Sequence, residues 1–313
     1  MPQCFGNLDK KFLMKVLITG ATGLIGKAIT NLCLKENIDV NYLTTSFTKI
    51  ENDPHYKGFY WNPSEGDIDI NCLLEVDVII HLAGATIAKR WTPSYKTEII
   101  ESRILSGNLL FNTLQKNEHK VKHFISASGV DIYPHSLDKT YDESEKETND
   151  TFLGNVVLRW EEVADKFSLA NIKVTKIRTG MVLDQTEGAL PQIAKPIKLG
   201  FGAALGSGKQ WQSWIHIEDI AALYLFVIKN KLEGIYNGVS PNPVTNKEMT
   251  KAIAKQLNKP LWLPNAPGFV LKTILGDMSA LLLGSKKASS KKIQQAGFQF
   301  KYPHLDSALK GLK

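Results

Sequence analysis

Cysteine is scarce in this 313-residue chain, with three in all. Cys4, Cys33 and Cys72 are far apart and form no C-x-x-C pair. That spacing excludes a disulfide framework and a thiolate zinc site, and it suits a reducing, cytoplasmic setting. No metal site is expected. Long apolar runs are missing too. The longest, Ile220 to Ile228, is too short to span a bilayer, so no membrane partner is expected. Met1 to Phe12 lacks the apolar core of a secretory signal. Residues 1–13 read as a leader, with Met14 an alternative start. No internal repeat is present. Net charge is +7, yet no motif interleaves aromatics with basic residues, so nucleic acid is not an expected partner. Lys286, Lys287, Lys291 and Lys292 are expected on a solvated helical face. At 43 % apolar and 22 % charged residues, the composition is that of a globular protein able to bury a full core.

What is present is concentrated between Met14 and Gly26. Val16-Leu17-Ile18-Thr19 is a β-branched, apolar run. It ends in Gly20-Ala21-Thr22-Gly23-Leu24-Ile25-Gly26, and a helical pattern follows through Ile29 and Leu32. Strand, glycine turn and helix N-terminus form the front of a βαβ unit that binds a dinucleotide. One glycine permits the tight turn, the next admits a pyrophosphate close to the backbone, and the third lets helix and strand pack closely. The spacing is G-x-x-G-x-x-G. Gly20, Thr22, Gly23, Leu24, Ile25 and Gly26 are the expected cofactor contacts here. Cys33, inside the helix, reads as a small core residue.

The second strand, Val40 to Thr44, ends without the Asp or Glu that would hold an adenosine ribose. Thr44-Thr45-Ser46 and Lys49 stand there instead. Ser46 and Lys49 could bind a 2′-phosphate, so NADP(H) is expected over NAD. Further strands are expected at Gly58–Trp61, Val76–Leu82, His123–Gly129 and Val174–Thr179. Helices are expected at Tyr95–Asn117, Phe152–Leu169 and Ile220–Ile228. The alternation predicts an α/β fold with a doubly wound parallel sheet. Leu82-Ala83-Gly84 ends a strand where a cofactor would cross the sheet edge. The reading assigns 14–187 plus 213–232 to the dinucleotide-binding domain. A smaller, α-rich C-terminal domain takes 188–212 plus 233–313.

Several segments carry a family resemblance. They include Ile18 to Gly26, His81 to Gly84, Lys89-Arg90-Trp91, Glu101-Ser102-Arg103, Ser126-Ala127-Ser128, Trp160-Glu161, Arg178-Thr179-Gly180, Gly206 to Trp211, Ser213-Trp214-Ile215-His216 and Ala296-Gly297-Phe298. Together they resemble the extended short-chain dehydrogenase/reductases, in their atypical "epimerase family" branch. The resemblance implies a Rossmann-type sheet and a C-terminal domain of unknown function. It implies an oxidoreductase or epimerase-like activity on a small polar or sugar-like molecule. It also removes something. Members ordinarily use a Tyr-x-x-x-Lys pair, and the matching positions here are Leu153 and Val157, which cannot transfer a proton. The branch retains a serine, matched by Ser128, and carries an arginine, matched by Arg103.

Candidate catalytic residues are therefore Ser128, Tyr133, His216 and Arg103. Each has a plainer reading. Ser128 could be satisfied by backbone, Tyr133 could be a loop aromatic, His216 a buried histidine, and Arg103 a salt-bridged structural residue. Arg103 and Arg178 are also expected beside the cofactor, and Asp219 is expected to cap a helix. Trp91, Trp211 and Trp214 are expected to wall a substrate cleft. Two readings stand open: an NADP-dependent enzyme, and a cofactor-binding sensor or interaction module with little catalysis. The oligomeric state is also open, a homodimer being one option.

Overall fold

The computed structural model describes residues 14–312. The leader assigned to 1–13 lies outside the described residues. Strand β1 (Lys15–Thr19) leads into α1 (Leu24–Lys35) and β2 (Asp39–Thr44). Then come β3 (Tyr56–Asn62), β4 (Asp67–Ile68), β5 (Val78–His81), α2 (Pro93–Lys116) and β6 (His123–Gly129). The short β7 (Thr140–Tyr141) precedes α3 (Phe152–Asp165), β8 (Lys173–Thr179) and β9 (Met181–Leu183). Next are α4 (Ala189–Lys198), β10 (Trp211–Gln212), β11 (Trp214–His216), α5 (Ile217–Asn230) and β12 (Gly234–Gly238). The remainder holds β13 (Val244–Thr245), α6 (Asn246–Gln256), α7 (Gly268–Leu275), α8 (Ala280–Leu283), β14 (Lys287–Ala288), α9 (Lys291–Gln295) and α10 (Leu305–Gly311).

Eight strands form the main sheet in the order β12-β8-β6-β5-β1-β2-β3-β4. All pairs are parallel except β3 with β4. Strand β1 shows why the sheet is doubly wound. Val16 and Ile18 face Ile29, Cys33, Ile220 and Leu223 on α1 and α5. Leu17, between them, faces Phe124, Leu110 and Leu114 on the other side. A strand buried on both faces is apolar on both, which is what the uninterrupted Val-Leu-Ile run supplies. Each such side chain contributes about 1.5–3 kcal/mol on burial. Cys33 is a core residue, as expected.

The main sheet takes two strands more than the sequence reading gives it, the short β4 at one edge and β12 at the other. The sequence reading places residues 233–313 in the smaller unit, but β12 (234–238) pairs along its length with β8. Its sequence, GIYNG, has no apolar run to announce it. The smaller unit buries Leu190, Ile197, Met249, Ile253 and Leu309 from α4, α6 and α10.

Helix starts are set locally. Thr92 accepts from Tyr95 N at 3.2 Å to cap α2, and Pro93 follows at N1. Thr151 accepts from Gly154 N at 3.3 Å to cap α3. Helix α5 departs from expectation. Its cap is His216, whose Nδ1 accepts from Glu218 N at 3.1 Å. Asp219 accepts instead from the backbone N–H groups of Lys301 and Tyr302, at 2.8 and 3.0 Å, and so ties the C-terminal segment to α5.

The lysine cluster is not one solvated helical face. Lys286 pairs with Asp131 at 2.5 Å and Lys287 lies 4.1 Å from the Trp211 ring centroid. Lys292 donates to the Ile235 carbonyl at 2.8 Å.

Candidate functional site

The glycine turn follows β1 directly. Gly20 has φ +71°, in the region that favours glycine, and its carbonyl accepts from Gly23 N at 3.0 Å. Gly26 lies so close beneath the turn that a Cβ there would sit 2.1 Å from the Gly20 oxygen. Gly23 occupies the N-cap of α1, where no side chain caps the helix and no acidic residue sits in the first turn. The first N–H groups of α1 and its positive dipole end are thus left for an anion. Thr22, Leu24 and Ile25 are half-buried around this opening.

A second strand end is fastened beside it. Thr19 Oγ1 accepts from Leu82 N at 3.1 Å and from Ala83 N at 3.0 Å. With those N–H groups pointing in, its own proton is directed to His81 Nδ1, 2.9 Å away. His81 Nε2 then donates towards Ser106 Oγ at 3.3 Å. Complete burial lowers His81 to about 4, so the ring is neutral and serves as a strut between β1, β5 and α2. The sequence reading missed Thr19 and His81, whose only signal is a polar residue inside a buried strand.

Arg103 lies over the next glycine. A Cβ on Gly84 would fall 2.9 Å from the Arg103 Cζ. Nη1 donates to the carbonyls of Ile99 at 2.8 Å and Ala85 at 3.2 Å. The guanidinium lies 4.8 Å from the Trp160 ring centroid. No carboxylate pairs with it among the described residues, and Nε is buried without a partner. Burial lowers Arg103 to about 10. It is therefore not the salt-bridged arginine of the plainer reading. Trp160 Nε1 is a second buried donor without a partner.

At the tip of β2, Thr44 Oγ1 accepts from Ser46 N at 3.2 Å, and Ser46 and Thr48 share a 2.8 Å hydroxyl contact. Lys49 is exposed. Phe47 is exposed as well and stacks on Tyr60 at 4.0 Å, an aromatic platform the sequence reading did not single out.

Ser128, Tyr133 and Arg178 are brought together, but they are bound to one another. Ser128 Oγ donates to Glu161 Oε1 at 2.6 Å. Arg178 grips the same carboxylate with Nε and Nη2 at 2.8 and 2.9 Å. Its Nη1 donates to the Tyr133 hydroxyl at 3.1 Å, and that hydroxyl donates to Asn237 Oδ1 at 2.8 Å. Burial pushes Glu161 up, but the Arg178 hydrogen bonds and charge outweigh it, so the carboxyl is held below its ordinary value. Tyr133 is pushed up, chiefly by burial. It is neither a surface aromatic nor a free phenol. Val157 packs with Tyr133 and Tyr141 in an apolar cluster.

His216 is not brought to this network. Besides capping α5, its ring lies against Tyr302 at 3.8 Å, and burial lowers it. Trp214 is fully buried in the smaller unit's core, with Nε1 bonded to the Asn242 carbonyl at 3.0 Å, so it cannot wall a cleft. Trp211 donates to the Leu137 carbonyl at 2.8 Å. Trp91 does face a groove of about 640 Å³. Phe152, Leu153 and Lys96 share its side of the groove, and Lys272, Asp277 and Leu283 close the other. Lys96 and Asp277 meet across it at 2.5 Å. Among the described residues no cluster of three His, Cys, Asp or Glu could hold a metal, and no helix is long and apolar enough to cross a membrane.

This arrangement has close relatives. Residues 16–238 match the model of the NAD dependent epimerase/dehydratase family, and residues 266–312 match a domain of unknown function. An epimerase family protein of Staphylococcus aureus is 36 % identical over 303 residues, covering 96 % of this chain and 99 % of that one. The human epimerase family protein crystallised with NADPH superposes with a TM-score of 0.83 at 28 % identity, covering 96 % and 99 % of the two chains. A nucleoside-diphosphate sugar epimerase of Corynebacterium glutamicum gives 0.76 at 29 % identity, with 95 % of this chain matched to 57 % of that one. A nucleotide-binding α/β sheet and a full-length match to such proteins lead to one assignment: the chain belongs to the NAD-dependent epimerase/dehydratase family.

Proposed function

We propose that this protein binds NADP(H) across the ends of β1, β2 and β5 and acts as an oxidoreductase or epimerase-like enzyme without a Tyr-x-x-x-Lys pair. The observation that carries the reading is Arg103, a buried guanidinium that pairs with no carboxylate among the described residues, lying against Gly84 beside the fastened strand end. An uncompensated buried charge is costly, and a ligand carrying negative charge or strong acceptors would relieve it. Gly20, Thr22, Gly23, Leu24, Ile25 and Gly26 would hold the pyrophosphate. Ser46 and Lys49 would read the 2′-phosphate, and Leu82, Ala83 and Gly84 would line the crossing. When bound, the cofactor supplies or accepts a hydride. The chain's own contribution is positioning and charge. Arg103 holds negative charge that develops on a substrate oxygen. Ser128, fixed by Glu161 and Arg178, offers an oriented hydroxyl. The groove beside Trp91 and Leu153 receives a small polar molecule.

A second reading has an observation of its own. The protons of Ser128 and Tyr133 are already donated within the network, which favours a cofactor-binding protein with weak catalysis. Titration of NADPH and NADH against wild type and Lys49→Glu tests the cofactor. The expected result is preference for NADPH, lost in the variant. Tighter NADH binding by wild type would overturn the NADP reading, and binding of neither would overturn the site. Gly23 is the position to block. A side chain at Gly26 would strike the Gly20 carbonyl and unsettle the fold itself. If a broad carbonyl screen with NADPH bound yields no turnover, the second reading replaces the first.

A further inference from the structure

The smaller unit carries a surface that the proposed cofactor site does not use. Residues 188–217 and 249–276 contain seven lysines and no aspartate, glutamate or arginine. All seven lysines are exposed. Helices α4 and α6 pack through buried Ile197 and Ile253 and leave Lys195, Lys198, Lys251 and Lys255 outward. The same segments expose large apolar side chains. Trp262 is 67 % exposed and Phe269 72 %, and Leu199, Phe201 and Ile274 are each 65 % exposed. Helix α7, sequence GFVLKTIL, buries none of its residues.

The backbone brings these pieces to one region. Ala266 N donates to the Ala204 carbonyl and Gly206 N to the Ala266 carbonyl, each at 2.8 Å. A Cβ on Gly202 would lie 2.7 Å from a Leu261 methyl. The loop bearing Phe201 therefore runs beside the segment bearing Trp262, and α7 leaves from its end.

We propose that this surface docks the protein on an anionic membrane, with the Trp262 and Phe269 side chains entering the headgroup region and the surrounding lysines facing acidic lipids. Charge complementarity selects this occupant. Seven exposed lysines outnumber the acidic residues Glu187, Glu218, Glu248 and Asp277 that border these segments, and such an excess is drawn to a negative surface. The exposed aliphatic side chains Leu199 and Ile274 gain from hydrocarbon, whereas nucleic acid offers them nothing to enter. A tryptophan with a polar edge suits the interface. Lying on a membrane needs no spanning helix.

The test is co-sedimentation of the full chain with vesicles of phosphatidylglycerol and phosphatidylcholine in equal parts, against vesicles of phosphatidylcholine alone. Light scattering of the free protein is recorded alongside. The proposal expects at least about tenfold stronger binding to the anionic vesicles, weakened by salt. Trp262→Ser with Phe269→Ser, and separately Lys198→Glu with Lys259→Glu, should each lower it by at least about tenfold. Circular dichroism should match wild type for both variants. These side chains are exposed, so folding should survive their replacement. Equal binding to both vesicles, binding to neither, or unchanged binding by both variants would overturn the proposal. So would a dimer in solution that Trp262→Ser with Phe269→Ser dissociates, because a second copy would then own the surface.

Discussion

Replacing Arg103 with methionine should separate stability from binding. The side chain is buried, and burial disfavours its charge strongly enough to bring it down to about 10, more than two units below a guanidinium's ordinary value. At about 1.4 kcal/mol per factor of ten, that is a penalty of about 3 kcal/mol in the free protein. Two carbonyl hydrogen bonds and the Trp160 contact offset part of it. Ile99 and Ala85 lose one charged donor, at about 1.5–3 kcal/mol per such bond. The free variant should thus stay within about 1–2 kcal/mol of wild type in urea unfolding, whereas loss of one member of a buried ion pair costs about 3–5 kcal/mol. NADPH affinity, followed by tryptophan fluorescence, should meanwhile fall about ten- to hundredfold, the equivalent of one lost charged hydrogen bond. A variant destabilised like a broken ion pair, with unchanged NADPH affinity, would refute the reasoning. Arg103 would then be a structural strut.

Glu161→Gln should cost about 3–5 kcal/mol in urea unfolding, because Arg178 is left buried without its counter-charge. Replacing both Glu161 and Arg178 with methionine should cost less than the single change, and a larger loss in the double variant would contradict a dominant ion pair. Burial lowers both His123 and His81 to about 4, and one share of the pH dependence belongs to His81. Its folded value of about 4 lies below its ordinary 6.5, so its contribution is complete above 6.5 and is lost as pH falls through 4. About 3 kcal/mol should disappear over that interval, and His81→Gln should flatten the corresponding part of the unfolding profile. An unchanged slope in that variant would rule out the neutral strut.

The sheet was legible because its signals are local. A strand buried on both faces is largely apolar, as Val16, Leu17 and Ile18 are, and a turn that presses α1 against β1 has to be glycine at Gly26. The same locality explains the failures. Strand β12 joins the sheet through its pairing with β8, and its own five residues carry two glycines and an asparagine. Helix α5 is capped by a histidine, a residue type seldom read as a cap, while the nearby Asp219 is held by residues 82 and 83 positions away. Ser128 was rightly placed at a strand end. Its partner, Glu161, is 33 residues away, on the face of β6 that Phe124 and Ser126 share. Alternation along β6 could have told which face the hydroxyl takes, but not that a carboxylate waits there. Arg103 shows the limit most clearly, since a missing partner has no sequence signature.

The buried network also predicts how any reduction would obtain its proton. Ser128 donates to Glu161, Tyr133 to Asn237, and Arg178 to both Glu161 and Tyr133. Glu161 is held ionised and has no proton to give. His216 is a cap elsewhere, and Leu153 and Val157 have no titratable atom. Beside Gly84 and α3, what stays unspent is a pair of fixed donors, Arg103 Nε and Trp160 Nε1, while the unpartnered Nε2 of His216 lies away from them at the start of α5. Fixed donors hold negative charge, but they do not release protons near neutral pH. The proton must then come from solvent. For a carbonyl substrate turned over with NADPH, kcat/KM should vary with pH without a side-chain inflection between about pH 6 and 9. Tyr133→Phe and His216→Gln should leave the shape of that profile unchanged. A sigmoid inside this range that either substitution abolishes would show that the acid is one of them, and that the network opens during turnover.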